Sequence, residues 1–180
     1  MERGLRVGNP LLPCENADRS TVWTLGPNWP FTGEVDILEG VNQNANNVMS
    51  LHTNETCIIT GDSSVMTGEL ENTNCAYYPN YNVGCGVSDP RTTSFGKGFN
   101  QAGGGVYAMQ WTSESILIWY WPRAEVPEGV DNKKPDPGSW GLPAAQLGVG
   151  NCKIDEHFQS HKIIFDTTFC GEYAGRSFAP

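Results

Sequence analysis

An all-β protein, with its strands arranged as a sandwich, is the fold class this sequence predicts. Three observations lead there. Gly (21), Pro (12) and 15 Asn punctuate the whole chain of 180 residues, which suits many short strands joined by turns. Ala-Leu-Glu-Lys runs at helical spacing are absent, so a helical bundle or coiled coil is excluded. With 38% hydrophobic residues, including 6 Trp, 6 Tyr and 7 Phe, the chain can build a core and is not a disordered segment.

The elements follow in order. Residues 1–20 show no periodicity and read as loop or unmatched sequence, and the domain is expected over 21–180. Val22 to Leu25 reads as a short strand, stopped by Gly26-Pro27. Glu34 to Val41 is a strand. Val48 to Thr53 is another, with Val48, Ser50 and His52 alternating against Met49, Leu51 and Thr53. Asn42 to Asn47 between them is a polar hairpin loop. Residues 54–105 are rich in Asn, Gly, Ser and Thr, carry three of the Cys, and read as loops held by disulfides. Val106 to Trp111 and Ile116 to Trp121 form the clearest hairpin, turned by residues 112–115. The Pro- and Gly-rich stretch 122–150 reads as an extended loop, and Ile163 to Phe169 as the last strand. No convincing helix and no internal repeat is visible.

Composition also excludes whole classes of function. A formal net charge of −9 argues against a nucleic-acid partner, whose phosphates require clustered Lys and Arg. No apolar run reaches the roughly 20 residues of a membrane-spanning helix. The six Cys, at 14, 57, 75, 85, 152 and 170, contain no C-x-x-C pair, so disulfides are expected rather than a zinc site. Six Cys allow 15 pairings. Loop lengths suggest Cys57 with Cys75 and Cys152 with Cys170. The sequon Asn54-Glu55-Thr56 fits secretion, yet residues 1–12 have no apolar segment and are not a signal peptide.

Chemistry concentrates in Gly33-Glu34-Val35-Asp36-Ile37-Leu38-Glu39-Gly40. On a regular strand Glu34 and Asp36 share one face and Glu39 points to the other. One extra residue, a β-bulge near Ile37-Leu38, would return Glu39 to the face of the other two. Three such carboxyl groups cannot all ionise freely, so at least one proton affinity should rise, and that group is a natural general acid. A pair of carboxyl groups is the apparatus of glycoside hydrolysis. An exposed strand face or a calcium site is the plain alternative. Val, Ile and Leu between the acids count against the first, and the missing loop-spaced Asp or Asn against the second. Trp23, Trp29, Trp119 and Trp121 offer flat surfaces for sugar rings. Core packing is the reading for Trp111 and at least one of Trp119 and Trp121, whereas Trp29, in a Pro-rich turn before the acids, should be accessible.

Trp23-Thr24-Leu25-Gly26-Pro27-Asn28-Trp29-Pro30 followed by Glu34-x-Asp36-x-x-Glu39-Gly40-Val41-Asn42 closely resembles glycoside hydrolase family 16, nearest its fungal endo-1,3(4)-β-glucanases, or laminarinases. Met49 to Thr53, Gly84 to Val87, Gly103 to Met109 and Trp119 to Arg123 extend the likeness, which runs from about Thr21 to Gly175. The resemblance implies a concanavalin-like β-jelly-roll sandwich and a cofactor- and metal-free, retaining endo-glucanase acting on β-glucan polysaccharide. It implies Glu34 as nucleophile, Glu39 as acid/base and Asp36 as the carboxyl between them. His52 resembles the family's histidine near the acid/base, and Trp29 a glucose-stacking residue. Trp23, Asn42 and Tyr173 complete the expected substrate contacts.

Three departures stand out. Cys170-Gly171-Glu172-Tyr173-Ala174-Gly175 has Tyr173 where the family usually has Trp. Residues 1–20 stand where the family carries a signal peptide and several strands, and the family continues past the position of Pro180. A jelly roll truncated at both ends, and so incomplete, is therefore expected, from a parent that is extracellular and monomeric. The alternatives are an inactive truncated product or a lectin-like carbohydrate-binding protein on the same fold. Transglycosylation is a milder variant of the main reading.

Overall fold

The computed structural model describes residues 18–79, 82–169 and 171–177. Among the described residues, eleven strands run in the order β1 Asp18–Leu25, β2 Glu34–Val41, β3 Val48–His52, β4 Ile58–Ile59, β5 Glu69–Asn72, β6 Cys85–Ser88, β7 Gly105–Trp111, β8 Ile116–Pro122, β9 Ala145–Leu147, β10 Gly150–Asn151 and β11 Lys162–Phe169. A six-stranded sheet has the order β11-β1-β2-β3-β6-β5, and a three-stranded sheet the order β7-β8-β9. A short pair joins β10 to β4.

The core lies between the two larger sheets. Val35, Met49, Leu51 and Val87 meet Ile116, Ile118, Tyr120, Ala145 and Leu147 in one buried cluster. The period of two in a strand explains the rest. Residues that alternate with these core residues on β2 and β3 face away from it, and there the acids lie.

The hairpin β7–β8 pairs from Gly105↔Pro122 to Trp111↔Ile116, as its sequence predicts. Ile116, Ile118 and Tyr120 join the core, while Trp119 and Trp121 occupy the other face of β8. Trp119 is buried there by Trp140, which packs edge-on against both indoles at 5.1 and 5.3 Å. Trp111 packs at the core margin against Phe158.

Several expectations are corrected. The first strand starts at Asp18, not Val22, because Asp18 to Thr21 pair with β11. The 54–105 region holds β4, β5 and β6, and the 122–150 stretch holds β9. These strands have two to four residues, too short to show a period in sequence. Four short helices, α1 Gly96–Gln101, α2 Glu128–Asp131, α3 Ile154–His157 and α4 Glu172–Ser177, appear where none was expected. At four to six residues they are turns of connecting loops rather than amphipathic elements.

The disulfides differ as well. Cys57 bonds Cys152 and Cys75 bonds Cys85, so both expected pairings fail. The first bond spans a separation of 95 residues, which loop length cannot suggest. It follows from β4 pairing with β10, which brings the two ends together. Cys14 and Cys170 lie outside the described residues.

Candidate active site

Gly33 begins the site. Its φ of 73° turns the chain sharply, and a Cβ there would come within 2.5 Å of Phe158 and 2.6 Å of the His157 carbonyl. Glu34 follows as the first residue of β2. Against β1, Leu25 pairs with Glu34, Trp23 with Asp36, Val22 with Leu38 and Thr21 with Glu39. Ile37 has no opposite residue, so the expected bulge is present at Ile37-Leu38. Glu34, Asp36 and Glu39 consequently lie on one face.

Asn47 holds the bulge. A bulge removes backbone groups from the ladder, and the buried Asn47 carboxamide replaces what is lost. Its Oδ1 accepts from the Glu39 N–H at 2.8 Å and its Nδ2 donates to the Ile37 carbonyl at 2.9 Å. Asn47 is fixed in turn by its own N–H, which donates to Ser94 Oγ at 2.9 Å. Sequence reasoning placed Asn47 in a loop and missed it, and nothing in the pattern distinguishes it from its Asn neighbours.

The three carboxyl groups sit in unlike surroundings. Asp36 is fully buried, and neither oxygen has a hydrogen-bond partner among the described residues. Burial, then the charges of Glu39 and Glu34, push its proton affinity well above the carboxylate range. Glu34 is also raised, chiefly by burial and further by Glu39, against the opposing charges of His52 and Arg19. The Trp29 indole N–H favours the Glu34 charge as well, although it falls outside hydrogen-bonding geometry. Glu39 meets Arg19 on β1, with Nη2 2.6 Å and Nε 2.7 Å from Oε1. Burial works against the Arg19 charge, but Glu39, Asp36 and Glu34 outweigh it and hold its affinity up.

His52 stands on β3 beside two of the acids. It pairs with Glu34 in register, and its Nε2 is 3.5 Å from Asp36 Oδ2. Register with Glu34 therefore sets it at the Glu34–Asp36 end. Nδ1 shares a 2.9 Å hydrogen bond with Asn82 Oδ1. Gly84, with a φ of 69°, makes room, since a Cβ there would lie 2.7 Å from the imidazole. Glu34, Asp36 and His52 each offer a ligand atom within 4.8 Å of one another, a geometry open to a small cation.

Trp23, Trp29 and Tyr173 lie near the three acids. Trp23 stands opposite Asp36. Trp29, half-buried, packs edge-on against Tyr77 at 4.6 Å. Asn42, in the left-handed region at φ 55°, donates from Nδ2 to the Ala174 carbonyl at 3.0 Å. That bond ties the end of β2 to α4. Tyr173 on α4 is 55% exposed, with Glu39 and Arg19 beside it. Arg19 itself was missed because the first strand was begun too late. Counted from Asp18, Arg19, Thr21 and Trp23 fall on one face by period two.

A model of the XgeA-like catalytic GH16 domain matches residues 12–179. The chain belongs to this family of glycoside hydrolase catalytic domains. Among curated relatives, a "probable glycosidase" of Schizosaccharomyces pombe is 45% identical over 157 residues, 86% of this chain and 38% of that protein. The endo-1,3(4)-beta-glucanase of Emericella nidulans is 44% identical over 156 residues, 87% of this chain and 24% of that protein. This GH16 chain thus spans about a quarter to two fifths of those relatives' length. GH16 Laminarinase 16A from Phanerochaete chrysosporium, solved with two beta-glucans in donor and acceptor sites, superposes with a TM-score of 0.84 at 39% identity. The match covers 89% of this chain and 55% of that one. An elongating GH family 16 beta-1,3-glucosyltransferase superposes with a TM-score of 0.81 at 42% identity, over 88% of this chain and 52% of that one. The jelly-roll fold class inferred from sequence is therefore the right one.

Proposed function

We propose that this GH16 domain hydrolyses β-1,3- or mixed β-1,3/1,4-glucans at internal bonds, with retention of anomeric configuration. The observation that carries the reading is the bulge at Ile37-Leu38, which sets Glu34, Asp36 and Glu39 on one face. Glu39, protonated, gives its proton to the glycosidic oxygen as the C1–O bond breaks, and Glu34 forms the new bond to C1. Glu39, now a carboxylate, takes a proton from water as the water oxygen attacks C1 and Glu34 leaves. Asp36, kept protonated by its burial, can donate to Glu34 and steady its charge as it departs. Trp29 and Trp23 offer flat apolar faces for glucose rings, Tyr173 stacks near the leaving side, and Asn42 holds Tyr173 there through Ala174.

The identity with endo-1,3(4)-beta-glucanases and a laminarinase supports this substrate class. The likeness to the glucosyltransferase favours a second outcome of the same intermediate, capture by a sugar hydroxyl instead of water. A lectin-like role has no use for paired acids on one face. The bonds Cys57–Cys152 and Cys75–Cys85 support an oxidising, extracellular setting.

The test is substitution assayed on laminarin. Glu34→Gln abolishes turnover on every substrate. Glu39→Gln loses about 100-fold or more on laminarin but spares glycosides with good leaving groups, which need no acid in the first step. Azide restores Glu39→Ala and yields a β-glycosyl azide. An α-azide from that variant sinks the assignment of roles.

A further inference from the structure

We propose that Arg19 is a positioning residue for Glu39, pinning one carboxylate oxygen and leaving the other to exchange a proton with the glycosidic oxygen. The inference rests on the reading of Glu39 as acid/base. Both contacting nitrogens, Nε at 2.7 Å and Nη2 at 2.6 Å, converge on the single atom Oε1. Among the described residues no donor reaches Oε2. One oxygen is thereby held by two charge-assisted bonds and the other presented to the face.

The bulge makes such a holder necessary. Glu39 lies past the point where β2 leaves its regular pairing, and its long side chain has three free rotations. Arg19 stands on β1, two residues from Thr21, which pairs with Glu39. From there a guanidinium reaches the carboxylate without covering it. The side chains are 25% and 14% exposed, so each charge has given up much of its water and depends on the other. The consequence of the pair falls on the geometry of Glu39.

Arg19 is also the cation set among the acids. Glu34 and Asp36 on β2 and Tyr173 on α4 share its field with Glu39, and His52 on β3 faces the Glu34–Asp36 end. Removing Arg19 takes both bonds from Oε1, so the Glu39 side chain swings more freely.

The experiment compares wild type, Arg19→Gln and Arg19→Lys on laminarin and on a dinitrophenyl laminarioside. In Arg19→Gln, kcat/KM on laminarin falls about tenfold or more, while kcat/KM on the activated glycoside stays within about twofold, because that step needs no proton from Glu39. Arg19→Lys, which can keep one charge-assisted bond to Oε1, recovers part of the laminarin rate. Equal losses on both substrates with no rescue by lysine would make Arg19 merely structural and overturn the proposal. Nitrogen NMR of the Arg19 Nε–H supplies a readout independent of turnover. Its signal shifts in Glu39→Gln, and an unchanged signal overturns the proposal. Wild type inactive on both substrates defeats the glucanase reading, and the Nε–H signal alone then decides the role of Arg19.

Discussion

At the scale of single residues, the site depends on one amide and one buried acid. Asn47 substitutes for two ladder bonds that the bulge removes, so Asn47→Ala strands the Ile37 carbonyl and the Glu39 N–H. Each unpaired buried group costs about 1–3 kcal/mol, so a loss on the order of 2–6 kcal/mol is expected in urea unfolding. Turnover should fall further than stability alone implies, since a displacement of about 1 Å in Glu39 can cost about 100-fold. A variant with wild-type stability and activity would mean the bulge holds itself. Asp36 has a pH signature. Its folded proton affinity is raised, so the stability present below its unfolded value of about 3.9 is lost as pH rises through the higher folded value. Asp36→Asn removes that loss. Melting temperatures of wild type and variant should diverge with rising pH, the variant gaining, and parallel curves would show that Asp36 is not held protonated.

Among the elements, β2 was the most legible and the loops the least. The carboxylate spacing in Glu34 to Glu39 demanded a bulge, and the register provides it, because acids flanked by Val35 and Ile37 must share the face away from the core. Strands β4, β5, β6, β9 and β10 offered no period to read. The disulfides test how the loops are held. In the chain-entropy picture, removing Cys57–Cys152, with a sequence separation of 95, costs roughly 5 kcal/mol. Removing Cys75–Cys85, with a separation of 10, costs roughly 3 kcal/mol. Paired Cys→Ala variants in denaturant titrations should keep that order. The reverse order would show that local strain or packing, not loop closure, dominates.

For the whole molecule, the edge strand β11 sets the behaviour in solution. It pairs with β1 on one side, and Ile163, Phe165 and Phe169 are 57%, 58% and 52% exposed. By register, Ile163 stands beside Thr24 and Phe165 beside Val22, on the face of the sheet that elsewhere packs on β7–β9. An apolar edge of this kind invites pairing between chains. The 180-residue chain is expected to bind hydrophobic dyes strongly and to self-associate. Phe165→Lys with Ile163→Lys should lower both dye fluorescence and light scattering without lowering the melting temperature. Unchanged scattering would move the cause elsewhere on the surface.

Read alone, the sequence determined the fold class, the long strands and the acid face. Alternation and carboxylate spacing are local properties, and a strand of eight residues displays them in full. Tertiary structure alone decided the partners that arrive from elsewhere in the chain. Asn47 reaches the bulge across a hairpin, Arg19 reaches Glu39 from a strand 20 residues earlier, and Cys152 reaches Cys57 through the β4–β10 pair. His52 was legible as a residue of the neighbouring strand, and register sets it opposite Glu34. Such contacts depend on which strands pair and in what register. That choice is made by the summed burial of both sheets, and no single segment carries it.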